Sequence, residues 1–231
     1  MTNLLERTHK GLIVSCQAEG SSPFNNAAGV AGFAICARMG GAAAIRAEGV
    51  AHIKAIMDKA ALPVIGLIKS NYQDGFVKIS GRNQDIADLI GTGCDMLAVD
   101  GTFRLREGVT GPEFIRKIKK DYRVPVMADI SVPEEAIACF EAGADCVSTT
   151  LSGYTPDTVQ RASEGPDFDL LKKLVNLLSN KIPVIAEGRI NTPELARQAI
   201  DSGAWAVVVG SAITRPQLIT KWFYDEITKK V

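Results

Sequence analysis

Apolar residues gather into eight short runs: Leu12–Cys16, Ala43–Ile45, Pro63–Ile68, Met96–Val99, Pro125–Ala128, Cys146–Thr149, Pro183–Ala186 and Ala206–Val209. A strand such as Pro183–Ala186, with no polar alternation, is covered on both faces, as parallel strands are. Between the runs lie segments of helical period: Asn26–Met39, Val50–Lys59, Ile86–Gly91, Pro112–Lys120, Pro133–Ala142, Phe168–Ser179 and Pro193–Ser202. A last amphipathic run, Gln217–Lys230, closes the chain. Alternating strand and helix predicts parallel βαβ units. Eight such units in 231 residues predict one α/β domain over residues 1–231, a closed (β/α)8 TIM barrel. The alternative is a doubly wound open sheet, but no GxGxxG follows the first run.

Local signals agree with this reading. Ser131 is expected to cap a helix that has Pro133, Glu134 and Glu135 in its first turn, and Thr192-Pro193-Glu194 repeats the pattern. TGCD, AGAD and SGAW each place a glycine (Gly93, Gly143, Gly203) just past a helix end. The long polar connection Ser152–Phe168 and the segment Ser70–Asn83 are expected to be loops at the substrate side.

Composition narrows the function class. Lys+Arg and Asp+Glu both number 26, so the charge balance points to neither nucleic acid nor a membrane surface. No apolar run approaches the roughly 18 residues of a membrane span, and the first is too short for a signal-peptide core. Cys16, Cys36, Cys94, Cys139 and Cys146 are scattered without CxxC, which fits reduced thiols in a cytoplasmic protein. His9 and His52 are the only histidines and lie away from expected strand ends, which speaks against a histidine-based metal site or a Ser-His-Asp triad.

Barrel chemistry belongs at the carboxyl ends of the strands. Reading those ends in order gives Gln17, Arg46, Lys69, Asp100, Asp129, Thr149-Thr150, Glu187 and Gly210-Ser211. In a ring of eight, the third and seventh strands are diametrically opposite. Lys69 and Glu187 therefore face each other across the mouth, as a base and an acid on opposite faces of one carbon would. A structural ion pair between them is the alternative. The turns Gly188-Arg189 and Gly210-Ser211 offer backbone N–H groups to an anion, with Arg215 near enough to add charge, so a phosphate site after strands seven and eight is expected. Ordinary tight turns are the alternative there. Arg46 either binds substrate or pairs with Glu48. Asp129 either accepts a substrate hydroxyl or caps the next helix. Asp100, Asp129 and Glu187 could instead chelate a divalent ion. Trp222, Phe223 and Tyr224 on the last helix are expected in core or dimer packing.

GLIVSCQ (Gly11–Gln17), AIRAEGV (Ala44–Val50), GLIK (Gly66–Lys69), AVDGT (Ala98–Thr102), MADIS (Met127–Ser131), TTLSGYT (Thr149–Thr155), AEGR followed by NTP (Ala186–Pro193) and GAWAVVVGSAITRP (Gly203–Pro216) resemble the N-acetylmannosamine-6-phosphate 2-epimerases of sialic acid catabolism. The resemblance covers nearly the whole chain. It implies a cytoplasmic (β/α)8 isomerase, often a homodimer, with no metal or nicotinamide cofactor. Its substrate would be an amino-sugar phosphate, with N-acetylmannosamine 6-phosphate and N-acetylglucosamine 6-phosphate interconverted at C2. It implies Lys69 as the catalytic lysine and Glu187 as its acid/base partner. Gln17, Arg46 and Asp129 match sugar-contacting positions, and Gly188, Arg189, Gly210, Ser211 and Arg215 match the phosphate site. One stretch departs: SNYQDGFVKISGR (Ser70–Arg82) stands where the family has a sequence like RDYPDSPVYITP, with Asn71 in place of Asp. Two other functions remain open on the residues alone. They are a sugar-phosphate aldolase acting through a Lys69 Schiff base and a non-catalytic sugar-phosphate sensor.

Overall fold

A computed structural model describes residues 4–72, 75–162, 165–178 and 181–229. Eight parallel strands close into a barrel: β1 (Leu12–Cys16), β2 (Ala44–Glu48), β3 (Val64–Leu67), β4 (Met96–Asp100), β5 (Val126–Asp129), β6 (Cys146–Ser148), β7 (Val184–Glu187) and β8 (Ala206–Val209). Each strand pairs with its neighbours in chain order, and β1 pairs with β8 to close the ring. This is the (β/α)8 fold that the alternating pattern predicts.

The unbroken apolar runs have a simple cause. Strand side chains alternate between two faces, and here both faces are packed. Ile13, Ala44, Ile65, Met96, Met127, Cys146, Ile185 and Ala206 fill the barrel interior. Val14, Ile45, Val64, Leu97, Val126, Val147, Val184 and Val207 pack outward against the helices. At Gly66 on β3 the outer packing comes so close that a Cβ would lie 2.7 Å from Cys94 Sγ and 3.1 Å from Ile53 Cδ1.

Most expected helices are present within a residue or two at their ends. Asn26 caps Ala27–Met39, its Oδ1 accepting from Gly29 N at 2.9 Å. Thr192 caps Pro193–Asp201 through Leu195 N. Ser131 does not take the cap of Pro133–Glu141. Val132 stands there, while Ser131 N and Oγ donate to Glu135 Oε2 at 2.8 and 2.9 Å. A carboxylate in the first turn satisfies these groups better than a lone hydroxyl. The expected helix ends at Ser179 and Lys230, and loop positions Gln73, Asp74, Ser163 and Glu164, lie outside the described residues.

Three departures shape the site. The polar residues expected after strands are mostly within them: Asp100, Asp129 and Glu187 end their strands, and Arg46 lies in the middle of β2. Lys69 lies beyond β3, in a small antiparallel hairpin of Lys69–Asn71 with Val77–Ile79. A short helix, Leu4–Thr8, lies against the amino-terminal end of the barrel: Leu4 and Leu5 join its interior packing, and Trp205 Nε1 donates to Leu5 O at 2.7 Å.

Candidate active site

Arg46 points into the barrel from β2, with 1% of its side chain exposed. A lone buried guanidinium would be costly, and two carboxyls meet it. Nη1 and Nη2 donate to Asp129 Oδ1 and Oδ2 at 3.0 and 2.6 Å, a bidentate pair. Nη1 also lies 3.0 Å from Glu187 Oε2. The ion pairs of Arg46 are thus with β5 and β7, not with Glu48 on its own strand. Asp129 is engaged by this guanidinium and does not cap the next helix.

One guanidinium faces two carboxyls, so full ionisation would leave a surplus buried negative charge. The two carboxyls meet this guanidinium in different surroundings. Asp129 holds the bidentate pair and is fully buried. For Glu187, burial pushes the carboxyl above its usual range. Arg46 opposes that rise, and the negative charge of Asp129 adds to it. Thr150 Oγ1 donates to Asp129 Oδ1 at 2.7 Å and lies 3.1 Å from Glu187 Oε2, so one hydroxyl links both groups. Thr149 Oγ1 fixes the β7 backbone, donating to Glu187 O at 2.8 Å and accepting from Glu187 N at 3.0 Å.

Across the mouth, the half-buried Lys69 donates from Nζ to Glu19 Oε1. Glu19 Oε2 lies 2.9 Å from Arg215 Nη2. Lys69 is thus paired with Glu19 and not with Glu187, although its charge still acts on the Glu187 carboxyl. Lys69, beyond β3, and Glu187, on β7, are thus each paired with another residue and not with one another. Gln17 is buried at the end of β1, where Nε2 donates to Ser15 Oγ at 2.8 Å.

The turns after β7 and β8 lie side by side, because Val208 pairs with Glu187. Gly188 and Arg189 both take positive φ, 109° and 55°. The backbone N–H groups of Gly188, Arg189, Ser211 and Ala212 have no acceptor among the described residues. Thr214 Oγ1 donates to Ser15 O at 2.8 Å and pins the short helix Ser211–Thr214 against β1. The Arg189 guanidinium turns away to the loop after β6, donating to Gly165 O at 2.7 Å and Ser152 O at 2.9 Å. At that position it is the backbone N–H that remains open to an anion.

Comparison with known proteins decides the family. A family model described as "Putative N-acetylmannosamine-6-phosphate epimerase" matches residues 30–229. A Clostridium perfringens protein named "Putative N-acetylmannosamine-6-phosphate 2-epimerase" is 48% identical over 96% of this chain and 99% of its own length. One from Clostridioides difficile is 46% identical over 97% and 99%. A solved N-acetylmannosamine-6-phosphate 2-epimerase from Clostridium perfringens superposes with a TM-score of 0.90 at 46% identity, covering 97% of this chain and 96% of that one. The chain belongs to the N-acetylmannosamine-6-phosphate 2-epimerase family. Membership in this family of isomerases favours neither the aldolase nor the sensor.

Within that family frame, the fold brings Lys69, Arg46, Asp129 and Glu187 to one mouth, with Gly188, Gly210, Ser211 and Arg215 along one side of it. Asp100 is engaged elsewhere. It accepts from Arg104 Nη2 at 2.6 Å and Arg106 Nη2 at 2.8 Å, and Arg104 also donates to Val77 O at 3.3 Å, which ties down the hairpin carrying Lys69. Among the described residues no cluster of three or more histidine, cysteine or carboxylate side chains is placed to hold a metal ion. Two residues escaped the sequence reading. Glu19 sits in a loop with no motif signal. Thr150 shows there only as a polar residue at a strand end, without the two contacts that give it meaning.

Proposed function

We propose that this chain interconverts N-acetylmannosamine 6-phosphate and N-acetylglucosamine 6-phosphate by moving a proton at C2. The carrying observation is the opposed pair: Lys69 beyond β3 and Glu187 on β7, four strands apart and each paired with another residue. The C2 hydrogen is acidic only beside a C1 carbonyl, so the open-chain aldehyde reacts. Lys69, as the free amine, takes the C2 proton. The C2–H electron pair moves into the C1–C2 bond, and the carbonyl pair moves onto oxygen, giving a planar enolate. Arg46 stands where it can oppose the developing negative charge. Glu187, whose carboxyl burial raises above its usual range, returns a proton to C2 from the opposite face. The roles exchange in the reverse direction.

The phosphate is held at the turns Gly188-Arg189 and Gly210-Ser211, by the open N–H groups of Gly188, Arg189, Ser211 and Ala212 together with Arg215. Gln17, Arg46 and Asp129 line the sugar side. Binding at the phosphate orients the distant C2. The same reading assigns a cytoplasmic homodimer acting as a single barrel domain without cofactor. Its support for a second copy is the last helix, Pro216–Thr228, which buries none of its side chains and leaves Phe223 68% and Ile227 80% exposed. Sedimentation of the purified chain tests that assembly.

The deciding experiment for the chemistry is turnover in heavy water. Deuterium should enter C2 of both sugar phosphates, and Lys69→Ala should slow this by about 10²- to 10⁴-fold. Active protein that incorporates no deuterium refutes proton transfer at C2. Near-native turnover by the lysine variant refutes Lys69 as the base.

A further inference from the structure

Glu19 joins two cations that the reaction would use for different purposes. Its Oε1 accepts from Lys69 Nζ, and its Oε2 lies 2.9 Å from Arg215 Nη2. The three residues come from three places: the loop after β1, the hairpin after β3 and the helix cap after β8. Burial alone would raise the Glu19 carboxyl, but the hydrogen bonds and charges of Lys69 and Arg215 reverse that and hold it below its usual range. These are the charged groups acting on Glu19. Those facing Lys69 are Glu19 and, across the mouth, Glu187.

We propose that Glu19 is a specificity-determining gate: its carboxylate occupies the anion position between Lys69 and Arg215 until the phosphate of the substrate displaces it. This deepens the epimerase reading and rests on it. While its Nζ donates to Glu19, Lys69 is held on that carboxylate and away from a substrate carbon. Lys69 therefore becomes a base only once Glu19 withdraws. An ion pair as exposed as this one, with 45% of the Glu19 side chain accessible, is weakly held. A phosphate dianion is the stronger ligand for Arg215 and has the open N–H groups beside it. Sharing one guanidinium, the two anions repel, and Glu19 leaves both cations together. Its side chain, 45% exposed, has room to turn into solvent from a loop fixed by the tight turn in which Ser22 N donates to Glu19 O at 3.2 Å. Binding of the phosphate thus licenses chemistry at a distant carbon, and an unphosphorylated sugar leaves the base occupied.

The test separates the substrate into pieces. Exchange of the C2 hydrogen of N-acetylmannosamine into heavy water is measured with and without inorganic phosphite, for the native chain, Glu19→Gln and Glu19→Asp. The native chain should exchange this sugar slowly and be activated by phosphite. A gate closed about nine-tenths of the time hides about tenfold of activity. Both variants should therefore raise the phosphite-free rate about tenfold and shrink the activation by the same factor. Asp keeps the charge but is too short to span both cations, so it must behave like Gln. If only Gln shows the change, a simple field effect replaces the gate. If neither variant does, or both slow the exchange, the gate is refuted. Thermal melting of the variants checks that the fold is intact. Should the native chain fail to exchange C2 of N-acetylmannosamine 6-phosphate itself, the epimerase reading fails. The gate is then judged by calorimetric titration with inorganic phosphate, where both variants should bind about tenfold tighter and equal affinities overturn it.

Discussion

Replacing Asp129 by Asn tests the logic of the buried cluster. The substitution keeps size and shape and removes one charge from a group with no exposed surface. Arg46 then faces Glu187 alone at 3.0 Å. Removing one member of a buried pair costs about 3–5 kcal/mol. Because Glu187 can ionise and take over as counter-ion once the Asp129 charge is gone, the lower end applies, about 3 kcal/mol. In a chain of this length that lowers Tm by about 6–12 °C. The second effect is on acid–base behaviour. In the native protein burial raises the Glu187 carboxyl, Arg46 opposes the rise and the charge of Asp129 adds to it. A carboxyl raised on folding contributes stability that is present below its unfolded value and lost as pH climbs through its folded value. Without the Asp129 charge the rise shrinks, so that loss should be smaller and complete at lower pH. The alkaline arm of the reaction in which Glu187 delivers the proton should move the same way. Thermal unfolding across pH, paired with initial rates of deuterium entry at C2, reads both effects. A stability loss under about 1 kcal/mol, the size of a surface pair, together with an unmoved pH profile would refute the account of this cluster.

Thr150→Val should lower kcat about tenfold, the worth of about one hydrogen bond, with a smaller effect on KM, and Thr150→Ser should restore it. Steady-state kinetics on both variants shows whether the hydroxyl linking Asp129 and Glu187 has this role. Arg215→Ala should raise KM for the sugar phosphate by about 10- to 150-fold, since a hydrogen bond to a charged group contributes about 1.5–3 kcal/mol. Inhibition by inorganic phosphate should weaken in parallel. Gly66→Ala should destabilise by about 1–3 kcal/mol through overpacking, because its Cβ would meet Cys94 Sγ at 2.7 Å. Denaturant unfolding measures this, and a neutral result would mean that the packing outside β3 yields.

The barrel is legible in the sequence because its strands are packed on both faces and leave a signal that needs no alignment. Strand order then comes without further information: in a (β/α)8 ring it is the chain order, and the opposition of Lys69 and Glu187 follows from counting. Arg46 is harder. A charge after three apolar residues looks like the end of a strand, and its partner Asp129 is 83 residues away. The hairpin after β3 has only three residues in each strand and no periodicity to detect. The Leu4–Thr8 helix is a single turn and a half, too short for a helical pattern to stand out. Glu19 is invisible for a different reason. Its meaning lies in the distance between Lys69 and Arg215, which no local pattern encodes.

The helix under the barrel bears on the bookkeeping of protons. Leu4 and Leu5 pack into the interior, and Lys10 N and Trp205 Nε1 fasten that end of the chain to β8. Among the described residues that end of the barrel is covered, and a seated sugar would cover the mouth as well. The acid should therefore keep a memory of the solvent it last met. A hydron loaded onto Glu187 before the sugar arrives would be delivered in the first turnover when the medium is exchanged only after the sugar is seated.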